Sequence, residues 1–184
     1  QGIDGLTGCI TFYKSDLKIK NTTFENLHCE DAINIFNSNF DIDKSIFKNI
    51  SYDAIDSDYS IGEIKNTDFT NVFNDGIDLS GSHVFTNNTF FEKVMDKAIS
   101  VGEKSVLTSK NLTILSSNTG VVSKDSSQVL LEESLFKKIN EYALMSYVKK
   151  KQFEGANIEC SKCIFNISKD KIFFKDEYSE IEFL

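Results

Sequence analysis

Four stretches decide the fold: Asp31-Ala32-Ile33-Asn34-Ile35-Phe36, Asp53-Ala54-Ile55-Asp56-Ser57-Asp58, Asp75-Gly76-Ile77-Asp78-Leu79-Ser80 and Lys97-Ala98-Ile99-Ser100-Val101-Gly102. Each begins 22 residues after the one before. Working outward, Ile33, Ile55, Ile77, Ile99 and Val121 keep that step of 22, and Ile10 and Leu144 extend the series at 23. A small residue comes just before six of these: Ala32, Ala54, Gly76, Ala98, Gly120 and Ala143. A second column holds Phe24, Phe47, Phe69 and Phe91, with Phe136 as its later counterpart; three residues after each come Leu27, Ile50, Val72, Val94 and Ile139. A fixed period of this length marks stacked units rather than one folded-back sheet.

Within a unit the apolar residues alternate over short stretches, as in Ile33-Asn34-Ile35, Phe40-Asp41-Ile42 and Ile77-Asp78-Leu79, which is strand periodicity. No long helical period is present. Three short strands in such a unit predict an all-β chain, a single-stranded right-handed parallel β-helix whose coils rise by about 4.8 Å. The LxxLxLxxN signature of a leucine-rich repeat is missing. Seven coils are recognisable, with a degraded eighth, or the start of a cap, over residues 172–184. Residues 1–184 therefore read as one β-helix domain, expected to be part of a longer chain. A stacked coil has open ends that template strand addition. Gln1 to Gly8 and the tail are the candidates for covering them, and end-to-end or lateral self-association is the expected consequence of leaving them bare.

Composition narrows the function. The chain has 184 residues with 28 Asp plus Glu against 20 basic residues, every one of them Lys, for a net charge of -8; Pro and Trp are absent too. Without a guanidinium fork, and with an acidic balance that repels phosphates, nucleic acid is excluded as a partner. No apolar run reaches the roughly 18 to 20 residues of a membrane span. Cys9 and Cys29 lie far from the pair Cys160 and Cys163, and a single CxxC without a second or a nearby His is a weak zinc or redox signal. The four are expected to be buried or incidental.

Asn21, Asn66 and Asn88 share a column interrupted by Lys44 and Lys110, which predicts a left-handed turn with an asparagine ladder. Asp31, Asp53 and Asp75 are expected to cap backbone amides two residues on. The Phe column points inward and is core. The residues after each Ile face outward as Thr11, Asn34, Asp56, Asp78, Ser100, Val122 and Met145, and two further along as Tyr13, Phe36, Asp58, Ser80, Gly102, Lys124 and Tyr147. Glu103, Asp125, Lys149, Lys150 and Lys151 adjoin them. This wall runs from aromatics through carboxylates to lysines. Asp56, Asp58 and Asp78 repel one another, and the repulsion is relieved by a bound cation such as Ca2+ at Asp56 and Asp78, by a raised pKa, or by rotation into water. Paired carboxyls are also how glycoside hydrolases work, making these three the candidate catalytic residues. The candidate substrate-binding residues are Tyr13, Phe36, Ser80, Glu103, Lys124, Asp125, Tyr147 and Lys149, with a polysaccharide as the partner and no cofactor besides that cation.

The coils NDGIDLSGS (74–82), DKAISVGEKS (96–105), GVVSKDSS (120–127) and YALMSYVKKKQF (142–153) resemble bacterial right-handed parallel β-helix proteins of the pectate-lyase-like, carbohydrate-binding and sugar-hydrolase repeat type. The resemblance covers nearly the whole chain and implies a secreted or cell-surface protein. DAIDSD, NDGIDLSGS and KAISVGE in consecutive coils are similar to the polygalacturonase layout, which implies acids at Asp56, Asp58, Asp78 or Asp75. The histidine and the Arg-x-Lys of that layout are missing, the coil having Lys97-Ala98-Ile99 instead. Arg-based lyase chemistry and Asp-Pro-His epimerase chemistry are excluded by composition. The same fold hosts adhesins and phage tailspikes, so a non-catalytic structural or adhesive module is the rival reading.

His83 follows Leu79-Ser80-Gly81-Ser82 within reach of Asp78; the other histidine is His28. Lys124 and Tyr147 would suit a lyase as base and acid if burial lowered their pKa values. Sequons occur at Asn21, Asn49, Asn87, Asn111 and Asn166. The charge is graded along the stack: residues 25–80 carry -9 and residues 81–151 carry +3.

Overall fold

The computed structural model describes residues 7–184. Its strands pair only in parallel and form one continuous hydrogen-bonded system of 18 strands, wound into about eight coils with three faces. The first face begins with Gly8–Tyr13, Asp31–Phe36, Asp53–Asp58 and Ile77–Ser80, and ends with Leu144–Tyr147 and Phe173–Lys175. Between these lie the C-terminal parts of two long strands, His83–Gly102 and Val106–Lys124, which bend around the corners and serve more than one face. The second face stacks Leu17, Phe40, Gly62, Val84, Leu107, Val129, Ile158 and Ile181, and the third stacks Phe24, Phe47, Phe69, Phe91, Ile114, Phe136 and Phe165.

The two columns read from sequence are the core. Ile33, Ile55, Ile77, Ile99, Val121 and Leu144 are fully buried. Phe47, Phe69 and Phe91 stack nearly parallel, with centroids 5.0 and 4.5 Å apart. At the glycines of the small column the next coil's backbone and the rings leave no room for a Cβ: one on Gly76 would meet the Ala98 carbonyl oxygen at 2.6 Å and the Phe91 ring at 2.7 Å, and one on Gly120 the Ala143 carbonyl oxygen at 2.2 Å. Burying such aromatics contributes about 1.5–3 kcal/mol each before entropy is counted.

The corners turn through left-handed backbone. Asn21, Lys44, Asn66, Asn88 and Asn111 all have φ between 50° and 54°. Lys110, expected in that column, pairs instead with Asn87 on the strand, and Asn111 takes the turn. The ladder there runs Asn88 to Asn66 to Asp43, at 2.9 and 2.8 Å. A second ladder, unanticipated, links Asn71 to Asn49 and Asn49 to Asn26 on the third face. At the corner from first to second face a serine column does the same work. The backbone N–H of Ser15, Ser38, Ser60, Ser82 and Ser105 each donates to the Oγ of the serine one coil on, at 2.8–3.2 Å.

Residues 172–184 continue the stack, with Phe173 on Leu144 and Ile181 on Ile158. Gln1 to Leu6, part of the segment expected to cover the first coil, lie outside the described residues. The cysteines are not incidental. Cys9 and Cys29, 20 residues apart in sequence, are joined by a disulfide because almost one full coil brings them together, and Cys160 is joined to Cys163.

Candidate functional site

The polar wall is the outer surface of the first face, and its register is the one the spacing implied. Asn34 pairs with Asp56 and Asp56 with Asp78, while Phe36 pairs with Asp58 and Asp58 with Ser80. A strand must alternate, so burying Ile55 and Leu79 inward places these polar groups outward on consecutive coils.

Three carboxyl columns meet there. In the first, Asp31, Asp53 and Asp75 do not cap two residues on. Asp53 Oδ1 accepts from the N–H of Asp75 at 2.8 Å, and Asp75 Oδ1 from the N–H of Lys97 at 3.0 Å, so each cap reaches across to the next coil. Parallel stacking brings the following coil's amide closer than the chain's own turn does. Asp31 accepts from the Thr7 hydroxyl. Burial pushes Asp31 and Asp53 up to about 6 and Asp75 to about 7, against the hydrogen bonds and the Lys97 ammonium that pull them down. Lys97 Nζ lies 3.3 Å from Asp75 and also pairs with Asp96; burial works against its charge, but the two carboxylates outweigh that and hold it charged.

The second and third columns hold the acids proposed from sequence. Asn34, fully buried, donates from Nδ2 to Asp56 Oδ2 at 2.9 Å. Burial first, and then the charges of Asp58, Asp31 and Asp78, push Asp56 up to about 9. Burial raises Asp58 as well, the charges of Asp78 and Glu103 adding to it while hydrogen bonding by Asn34 pulls it down. Burial and mutual repulsion thus favour the protonated form of both acids, one of the three ways of relieving the repulsion. Asn34 Oδ1 and Asp78 Oδ1 are buried without a hydrogen-bond partner among the described residues. Among those residues no cluster of three or more His, Cys, Asp or Glu side chains is gathered as a metal site.

Lys124 extends back along the stack. Its chain crosses Gly102, where a Cβ would lie 2.8 Å from Lys124 Cε, and its buried ammonium donates to Ser100 Oγ at 2.9 Å. Tyr147 stands on Lys124 in the register. Burial raises the Tyr147 phenol rather than lowering it, so the proposed acid of a lyase pair loses its condition. Asp125, placed on the wall by sequence, is fully buried, and its Oδ1 accepts the N–H groups of Lys149 and Lys150 at 2.8 and 2.7 Å. Glu103 pairs with Lys150, and Lys149 is exposed. His83 points outward from the second face, one corner away from Asp78.

Beside the acids runs an aromatic row. The Tyr13 and Phe36 rings lie 5.6 Å apart, and Phe36 and Tyr59 another 5.6 Å. Tyr59 escaped sequence reading because it sits one position beyond the column of Tyr13 and Phe36, at a corner residue with φ 50°. Its ring lies over Gly81, whose φ of 62° and missing Cβ leave room for it. Tyr13 and Tyr59 are 43% and 58% exposed, enough for a ligand to reach their faces.

A scan against protein-family models finds no match to this chain, and a search of curated proteins finds none either.

Proposed function

We propose that the chain is an extracellular or cell-surface β-solenoid module that binds a polysaccharide along the outer surface of its first face. The observation that carries this reading is the row Tyr13, Phe36, Tyr59, one ring per coil, beside the strands that carry Asp56, Asp58 and Asp78. Aromatic faces stack on the C–H faces of pyranose rings, and adjacent carboxyls exchange hydrogen bonds with sugar hydroxyls. Two disulfides support an oxidising compartment.

Binding is favoured over hydrolysis. A general acid works best with a pKa near the operating pH, and Asp56, held up at about 9, keeps its proton too firmly. The rival reading, a non-catalytic structural or adhesive module of a filament or fibre, draws on the ladders that tie polar groups to the fold.

Affinity electrophoresis through gels carrying neutral and acidic polysaccharides tests the reading. At least one polymer is expected to retard the protein, and Phe36→Ala with Tyr59→Ala is expected to weaken that retardation about tenfold. A blank result across all polymers rejects carbohydrate binding by the wall and favours the structural role.

A further inference from the structure

The seventh coil departs from the repeat. Val129 and its partner Ile158 are 29 residues apart, whereas partners not spanning this segment are 22 or 23 apart. The extra length lies in residues 148–156, between Leu144–Tyr147 on the first face and Asn157–Ser161 on the second. An excursion with no role would be expected to hang loose at the surface. This one is fastened along its length. Asp125 holds the N–H groups of Lys149 and Lys150, Glu103 pairs with the Lys150 ammonium, and Phe153 N–H donates to the Lys150 carbonyl at 3.0 Å. The far end is tied twice to Ser126. Glu154 N–H donates to Ser126 Oγ at 2.8 Å, and Ser126 N–H to the Glu154 carbonyl at 3.0 Å. Gly155 then passes against the eighth coil, where a Cβ would lie 1.7 Å from the Tyr178 carbonyl oxygen, so the route of the chain demands glycine.

What this anchoring holds open is a cavity of about 430 Å³ between the excursion and the second face. Its walls are Lys104, Ser126, Gln128, Gln152, Phe153 and Glu154. With Val106 completing the lining, they set one aromatic ring among two amides, a hydroxyl, an ammonium and a carboxylate, a predominantly polar cavity with an apolar patch at Phe153 and Val106. The volume falls in the range of small-ligand sites, roughly 300–1,000 Å³. The Phe153 and Glu154 backbone and the Ser126 hydroxyl are fixed beforehand by the bonds above, which lowers the ordering cost of binding.

We infer that this cavity is a second binding site, which takes a single sugar unit with Phe153 against the ring face and the polar side chains on its hydroxyls. It lies one corner away from Lys124 and Tyr147, beyond the lysine end of the wall. The inference rests on carbohydrate being the ligand class of the first face, but it names a different site whose occupation is measured separately.

Saturation-transfer NMR with a panel of glucose, galactose, mannose, N-acetylglucosamine and glucuronate tests it. At least one sugar is expected to give a signal that Phe153→Ala, and independently the exposed-site variant Gln152→Ala, reduces at least tenfold in affinity. The pair Phe36→Ala and Tyr59→Ala is expected to leave the signal unchanged. Silence from every sugar overturns the second site, whatever the polysaccharide gels show. A signal lost in the first-face pair but kept in both excursion variants also overturns it, while leaving the first-face reading standing. Far-UV circular dichroism of each variant separates lost binding from lost fold.

Discussion

A carboxyl at an outward strand position ordinarily sits in water with its usual pKa, and Asp56 does not. It is flanked by Asn34 and Asp78 in its own column, and Asp58 lies two residues along the strand. The packing around it removes much of its water, and the charges of Asp58, Asp31 and Asp78 add to the penalty on ionisation, outweighing the Asn34 hydrogen bond. At neutral pH the group is therefore a neutral acid, close in shape and hydrogen bonding to an asparagine. Its ionised form in the unfolded chain must take up a proton on folding, which opposes folding above the unfolded pKa of about 4. Asp56→Asn removes that penalty and keeps the contact with Asn34 if the amide presents its oxygen. The expected outcome at pH 8 is a Tm higher by roughly 2–4 °C, the equivalent of about 1 kcal/mol in a chain of this size. A Tm lowered by that amount would mean that Asp56 is ionised and satisfied in the native state. The spacing of 22 exposed the stack of acids in sequence, but protonation depends on how much water the neighbours leave, and no one-dimensional pattern carries that.

At the scale of the element, each corner is held by a column of one side-chain type, and the columns differ in how legible they were. The Ile and Phe columns were plain because apolar side chains at a fixed period have one explanation, burial. The serine column, from Ser15 through Ser38, Ser60, Ser82 and Ser105 to Ser127, is just as regular at steps of 22 and 23. It is overlooked because serine is common and its role is set by an Oγ reaching a neighbouring coil's N–H. The asparagine turn was read correctly except at Lys110, where a step of 23 rather than 22 moved the corner to Asn111. The excursion at residues 148–156 left no repeat to read at all. Ser82 shows the strength of these columns. Fully buried, its Oγ accepts the Ser60 N–H at 3.0 Å and donates to the Ser57 carbonyl at 2.8 Å. Ser82→Ala leaves a buried donor and a buried acceptor without partners, a loss of about 1–3 kcal/mol. Thermal denaturation should show the Tm falling by several degrees, and a drop no larger than that of an exposed control such as Ser168→Ala would show the ladder to be energetically idle.

For the molecule as a whole, the formal gradient from -9 over residues 25–80 to +3 over residues 81–151 overstates the charge on the first face. Six of the acids in the first segment have pKa values raised by burial, Asp68 on the third face and five on the first: Asp31 and Asp53 to about 6, Asp75 to about 7, Asp56 higher and Asp58 with it. The acidic stack is thus partly a stack of neutral acids, which suits a surface that hydrogen-bonds uncharged hydroxyls. It also fixes how stability responds to pH. A group whose folded pKa lies above its unfolded value binds more protons in the folded state. Its stabilising contribution is complete below the unfolded pKa of about 4 and is lost as pH rises through the folded value. The acids held low act in the opposite sense: Asp43, hydrogen-bonded by Asn66, Glu133, bonded by Lys162, and Asp176, whose burial is outweighed by hydrogen bonds from Val148 and Tyr178, lose their contribution only as pH falls through their lowered values. That loss falls below the usual carboxylate range, so the five first-face acids dominate the window from about pH 4 to pH 9. The Tm is therefore expected to be highest at about pH 4 and to fall towards about pH 9, most steeply between about pH 4 and pH 6, where all five keep their protons in the folded protein and have lost them in the unfolded chain, and less steeply above about pH 7, once Asp31, Asp53 and Asp75 have ionised. Calorimetric scans across that range check the sign, and a Tm that stays level or rises from pH 5 to pH 9 would show that the carboxyls of the first face are ionised in the folded protein. Replacing Asp31 and Asp53 together by Asn should flatten the slope below pH 7 while leaving the loss at higher pH, which assigns each part of the curve to its own column.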